Sequence, residues 1–148
     1  MKVLFLDIDG VCNSERTFMH GNELFGIDPH MAFLVGKIEI ETECKIVLSS
    51  SWRHSEEAVS HVEAKVRPLY GKTGRDHTGF RGSEVEKWLK ENPGVEKYAI
   101  LDDDGDFFKW QPLFRTSWKV GLTPDIAEAV INHLNGRIDD PKQDKEGL

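Results

Sequence analysis

Apolar residues fall along this chain in two rhythms. Short unbroken runs at 3–6, 45–48 and 98–101 each end abruptly in polar side chains, the length and boundaries of buried strands. A shorter run at 118–120, stopped by Gly121, predicts a fourth strand. Between the runs, apolar residues recur at helical spacing. Asp28-Pro29 offers an N-cap and a proline at the first helical position, with Met31, Leu34, Val35 and Ile38 following on one face. Ala58, Val59, Val62 and Val66 form a second stripe, stopped by Pro68. Ser83-Glu84-Val85-Glu86 is a capping-box pattern and predicts a helix carrying Trp88 and Leu89, ended by Asn92-Pro93-Gly94. Thr123-Pro124 opens a last helix with Ile126, Ala127, Val130, Ile131 and Leu134, stopped by Asn135-Gly136. Strands alternating with helices predict an α/β fold: three layers, a parallel Rossmann-like sheet with helices on both faces.

Two segments, 13–27 and 69–81, fit neither rhythm. The first is polar and aromatic, with Phe18, His20 and Phe25; the second is glycine-punctuated and basic. Long irregular loops in a small domain are usually functional or disordered. Both are candidates to overhang the acidic edge, and the sequence leaves open whether they act as a small cap. The length of 148 residues predicts one domain, over 1–138, with a polar flexible tail at 139–148.

A net charge of −7 argues against a surface that is basic throughout, though not against a local basic groove. Cys12 and Cys44 give neither a disulfide framework nor a zinc pattern, which fits a reducing, cytoplasmic setting. The run at 3–6 is too short for a signal-peptide core, and no segment approaches a membrane span. Composition says nothing about oligomeric state.

The chemistry sits where the apolar runs stop. The first ends in Asp7-Ile8-Asp9-Gly10, the second in Ser49-Ser50-Ser51-Trp52-Arg53, the third in Asp102-Asp103-Asp104-Gly105-Asp106. In a parallel sheet these ends share one edge, where open α/β sheets bind ligands. Close carboxylates repel and need a cation or a shared proton. Asp7, Asp9, Asp102 and Asp103 suit a hard cation such as Mg²⁺, which takes oxygen ligands. A carboxylate not spent on metal is available as nucleophile or general acid. A serine hydroxyl and a cationic side chain nearby would bind phosphoryl oxygens.

Four ordered motifs resemble those of the haloacid-dehalogenase-like (HAD) phosphohydrolase superfamily. Asp7-Ile8-Asp9-Gly10-Val11 matches its first. Ile46-Val47-Leu48-Ser49-Ser50 matches the second. Arg81, with Lys87 as the alternative, matches the cation that opens a helix in the third. Ile100-Leu101-Asp102-Asp103 matches the fourth. Ser-Ser-Trp-Arg at 50–53, the Arg81-Gly82-Ser83-Glu84 stretch and Gly121-Leu122-Thr123 look closest to small, essentially capless HAD domains associated with nucleic-acid repair proteins.

That resemblance implies a Mg²⁺-dependent phosphomonoesterase. Asp7 would be the nucleophile that forms an aspartyl-phosphate, and Asp9 the general acid and base. Asp7, the Asp9 backbone carbonyl, Asp102 and Asp103 would hold the metal. Ser50, with Ser49 as its rival, and Arg81 would steady the phosphoryl oxygens. An open site favours a phosphorylated polynucleotide end over a free nucleotide or small phosphometabolite, with Arg53, Lys72 and Arg75 as candidate substrate contacts. A receiver-like phosphoacceptor ranks lower because its motif order is different, and a non-catalytic module ranks lower because no expected acid is missing.

Overall fold

The computed structural model describes residues 1–19 and 26–137. The tail expected at 139–148, and His20 and Phe25 of the first irregular segment, lie outside the described residues. Five strands form one parallel sheet: β1 (Lys2–Leu6), β2 (Lys45–Leu48), β3 (Gly71–Lys72), β4 (Lys97–Asp102) and β5 (Leu113–Arg115). Their spatial order is β3-β2-β1-β4-β5. The chain runs outward from β1 through β2 to β3, then returns to β1's other side for β4 and β5. β1 is therefore the point where the winding reverses, and the crevice at such a point is where open sheets bind ligands.

Both faces of the sheet are covered. Among the described residues the helices are α1 (Glu15–Met19), α2 (Pro29–Thr42), α3 (Glu56–Lys65), α4 (Arg81–Glu91) and α5 (Pro124–Leu134), with a 3₁₀ turn at Ser51–His54. Leu4, Leu6, Ile46, Leu48, Ala99 and Leu101 face one way and pack with Val35 and Ile38 of α2, Val62 of α3 and Val130 and Ile131 of α5. Val3, Phe5, Val47 and Ile100 face the other way, onto Val85 and Trp88 of α4. The period-2 alternation of strand side chains survives even though both faces are buried, as in parallel sheets generally. Phe5 meets the Trp88 ring edge-on with centroids 5.5 Å apart. The expected three-layer α/β architecture is present.

Three local expectations are corrected. The fourth strand is not 118–120 but β5, at Leu113–Arg115. Trp118 and Val120 are exposed, and residues 117–121 form a tight turn closed by the Gly121 amide donating to the Ser117 carbonyl at 2.7 Å. Gly121, at φ 68, accommodates that turn. β5 buries only Phe114 fully, so its sequence carries little apolar signal.

The capping box at Ser83 does not open α4. The helix begins two residues earlier, at Arg81, with Phe80 as N-cap and no side-chain capping bond of its own. Its first amides are satisfied from a distant loop. The Arg81 amide donates to the Asp106 carboxylate at 3.3 Å, and the Gly82 amide to the Asp106 carbonyl at 2.9 Å. Glu86, the acid of the expected box, instead accepts from the Gln111 side chain at 3.0 Å. Within the irregular segment 69–81, a two-residue strand, β3, pairs with the end of β2. By contrast Asp28, Ser55 and Thr123 cap α2, α3 and α5 through their side chains.

Candidate active site

The register of the sheet brings three strand ends level. Leu6 stands opposite Leu48 on one side and Leu101 on the other. The ladder continues one step further. Ser49 donates its amide to the Leu6 carbonyl at 2.8 Å, and Asp7 to the Leu101 carbonyl at 3.0 Å. Asp7, Ser49 and Asp102 therefore emerge side by side at the edge where β1 reverses the winding.

Asp7, Asp102 and Asp103 each offer an oxygen within 4.8 Å of the others. Asp102 is 1% exposed and Asp7 7%. Burial, above all, raises the Asp7 carboxyl well above its ordinary value, and the neighbouring Asp102 charge adds to this against the pull of Arg81. Burial likewise pushes Asp102 up to about 6 and raises Asp103. A set of closely spaced buried oxygens that resists ionising alone is a donor set of the kind a hard divalent cation occupies. Gly10 is what lets Asp103 join. It sits at φ 84, and a Cβ there would stand 2.2 Å from an Asp103 carboxylate oxygen.

Arg81 enters this cluster from the first turn of α4. Its Nη1 lies 3.4 Å from Asp102 Oδ2 and 3.6 Å from Asp7 Oδ1, and it donates to the Ser49 carbonyl. Lys87, the alternative cation, points away and donates to the Arg75 carbonyl at 3.4 Å on the exposed side of α4. The two serines also separate. Ser50 spends its hydroxyl oxygen as a cap, accepting from the Trp52 amide at 3.1 Å. The Ser49 hydroxyl is buried and has no hydrogen-bond partner among the described residues.

Asp9 is not a member of the carboxylate cluster. Its exposed side chain turns to Trp52, whose indole Nε1 donates to Oδ2 at 3.0 Å, and to Asn13, whose amide donates to Oδ1 at 3.0 Å. The sequence did not single out Asn13 or assign Trp52 to this acid. An aromatic two residues after a strand-end serine carries no sign of which acid it will meet.

Arg53 is not on the rim where it was expected. It is 6% exposed and pairs at 2.9 Å with the equally buried Glu84. Its Nη1 also donates to the Ser50 carbonyl at 3.1 Å and, at 3.4 Å, to that of Ser49. It fixes the backbone after β2 rather than facing solvent. Lys72 and Arg75 are exposed beside it: Lys72 donates to the Arg53 carbonyl at 3.2 Å, and Arg75 Nε bonds His54 at 3.2 Å. Arg75, His77 and Arg81 line a cavity of about 410 Å³ next to the acidic cluster. On α4's N-terminal side, Phe80 meets Phe108 with centroids 4.9 Å apart, and Phe108 stacks on Trp110 at 4.4 Å and 6°. Trp110 is 68% exposed.

The raised carboxyls have a consequence for stability. Without a cation the folded chain holds protons on them more tightly than the unfolded chain, whose carboxylates titrate near ~4. The contribution of Asp102 to stability therefore falls as pH rises from about 4 through about 6, and stays low above that. Metal-free wild type is expected to lose melting temperature relative to Asp102→Asn across this range. Excess Mg²⁺ should restore it near pH ~8, because the cation binds the deprotonated set. Thermal melts in a chelator and in Mg²⁺ check this; parallel wild-type and Asp102→Asn curves in the chelator would contradict it.

The family model for the HAD domain in Swiss Army Knife RNA repair proteins matches residues 3–127. That span contains every residue of the site just described. No curated protein matches the chain. The match supports a HAD-type phosphohydrolase. With well over half its length under that description, this chain belongs to the HAD superfamily, among the HAD domains of Swiss Army Knife RNA repair proteins.

Proposed function

We propose that this chain is a Mg²⁺-dependent phosphomonoesterase that works through an aspartyl-phosphate on Asp7 and takes the terminal phosphate of a polynucleotide. The observation that carries the reading is the meeting of Asp7, Asp102, Asp103 and Arg81 at one sheet edge, with Asp9 just outside. Asp7 attacks phosphorus as the bond to the leaving oxygen breaks, and Asp9 gives that oxygen a proton. Asp9 then takes a proton from water as the water oxygen attacks phosphorus and frees Asp7. Each group ends as it began. Mg²⁺ held by Asp7, Asp102, Asp103 and the Asp9 backbone carbonyl would neutralise charge on the carboxylates and the phosphoryl oxygens. Asp7→Asn is nearly isosteric but removes the attacking charge, so turnover should vanish while the chain still folds. Substantial hydrolysis by the folded variant would refute the assignment.

For the phosphoryl-binding hydroxyl the unpartnered Ser49 is the better candidate than Ser50, which is committed as a cap. A buried hydroxyl without a partner costs free energy that a bound phosphoryl oxygen would recover. Ser49→Ala should lower kcat/KM by roughly tenfold, the worth of one hydrogen bond to a charged group, at little cost in stability. Ser50→Ala should instead lower stability by about 1 kcal/mol through the lost cap. Kinetics and melts of the pair separate the roles; the reverse pattern would reassign the hydroxyl to Ser50.

The substrate class rests on three supports. The matched family is described from RNA repair proteins. Arg75, His77 and Arg81 line a cavity beside the site. The Phe80–Phe108–Trp110 ladder starts one residue before Arg81 and ends in an exposed indole, the kind of platform on which unpaired bases stack. Neutralising Lys72 and Arg75, or Trp110→Ala, should raise KM for a phosphorylated oligonucleotide and barely touch the matching mononucleotide. Oligonucleotide binding should weaken with salt at a slope of about −0.7 per phosphate contact. Equal efficiency on both substrates with equal salt slopes would leave a phosphatase of free nucleotides or small phosphometabolites.

A further inference from the structure

The side chain of the acid/base Asp9 is the exposed one of the site. It leaves an otherwise buried turn immediately before Gly10 and stands outside the carboxylate cluster. A carboxylate in such a place samples several rotamers unless something holds it, and proton transfer demands a defined position. Both of its oxygens are held. Oδ2 accepts from Trp52 Nε1 and Oδ1 from Asn13 Nδ2, each at 3.0 Å.

The two holders are themselves fixed. Asn13 is fully buried; its carbonyl accepts from the Gly10 amide at 3.0 Å, and its amide also donates to the Gly26 carbonyl at 2.9 Å. Trp52 belongs to the 3₁₀ turn Ser51–His54, which Ser50 caps and which the buried Arg53–Glu84 pair anchors to α4. Its ring packs against the core. The chain thus invests a buried amide and a half-buried indole in a single exposed carboxylate.

We infer that Trp52 and Asn13 are the positioning residues of Asp9, setting its carboxyl for proton transfer to and from the reacting oxygens. This rests on the phosphatase reading above. The choice of partners fits the task. An indole N–H is only a donor, and the asparagine amide reaches Asp9 through its NH₂. Neither takes a proton from Asp9, so the proton moves only between Asp9 and the leaving oxygen or water. An ionised carboxylate has about four lone-pair positions, and the two donors leave one on each oxygen for the substrate.

The distinguishing measurement is leaving-group dependence. A nitrophenolate leaves without being protonated, whereas an alkoxide needs the acid. kcat/KM reports the steps up to release of the first leaving group, so it isolates the acid's half of the cycle. Trp52→Phe keeps a ring and removes the N–H. Its kcat/KM for glycerol 2-phosphate should fall by roughly 10- to 100-fold, within the 10²–10⁴ that general acid catalysis supplies. The loss for 4-nitrophenyl phosphate should be at least about tenfold smaller. In the Asp9→Asn background, Trp52→Phe should add little, because the two act as one unit. Should Trp52→Phe fold poorly, benzothienylalanine at position 52 replaces only the N–H by sulfur and gives the same readout. Equal losses for the two leaving groups, or full additivity with Asp9→Asn, would overturn the inference while leaving the phosphatase reading intact. A wild type that hydrolyses neither ester nor a 3′- or 5′-phosphorylated oligonucleotide would reject the phosphatase reading, and the inference with it.

Discussion

Mutual repulsion among Asp7, Asp102 and Asp103 is the constraint that the surrounding structure has to contain. Burying even one carboxylate disfavours its charge, and two nearly inaccessible ones beside a third multiply the cost. The sheet forces the arrangement. β1 and β4 are hydrogen-bonded neighbours in register through Leu6 and Leu101, so the side chains just beyond cannot separate. Arg81 offsets part of the charge, and a divalent cation would offset more. The raised carboxyls mark what Arg81 alone leaves uncompensated.

Holding such a cluster together takes backbone fixed from outside it. The Ser49 carbonyl illustrates this, since it receives donors from both Arg53 and Arg81. Arg53 is paired with Glu84, one turn along α4 from Arg81. One helix therefore supplies the carboxylate that pins the loop after β2 and the guanidinium that reaches the reactive edge. Breaking a buried pair of this sort leaves an uncompensated charge, which is why a residue with no contact to substrate can matter to the site. Thr116 adds a further tie by donating to the Gly10 carbonyl at 2.6 Å, so the loop after β5 holds the turn after β1.

What could be read from the sequence and what could not divides along the same line. Apolar runs ending in acids are local signals, and Asp7, Asp102 and Asp103 announced themselves because strand and polar end lie within a few residues; between Ser50, which the sequence favoured, and its rival Ser49 no local signal decides. The helices capped by Asp28, Ser55 and Thr123 were legible for the same reason. Arg53 was not: a charged residue in a serine-rich stretch reads as surface until Glu84, 31 residues away, meets it. The start of α4 was missed because its cap is Asp106, which in sequence is only one more acid in a turn. The strand at 113–115 was missed because an edge strand with one buried side chain has almost no pattern to display. The Trp52 ring does pack against the core, but no local pattern gives the direction of its one polar atom.

The arginine at the start of α4 becomes intelligible from the same contacts. Nη1 alone makes the bonds to the Ser49 carbonyl and approaches the two carboxylates. A guanidinium spreads five N–H groups over a rigid plane, so one nitrogen can be spent on the protein while its other edge stays directed outward. An ammonium has a single nitrogen and would divide its three protons between the same carbonyl and carboxylates. The buried neighbours of Asp7 therefore select not merely a positive charge at position 81 but a planar one. From one nitrogen that group reaches the Ser49 carbonyl and both buried carboxylates, so the ends of β1, β2 and β4 are tied at a single point.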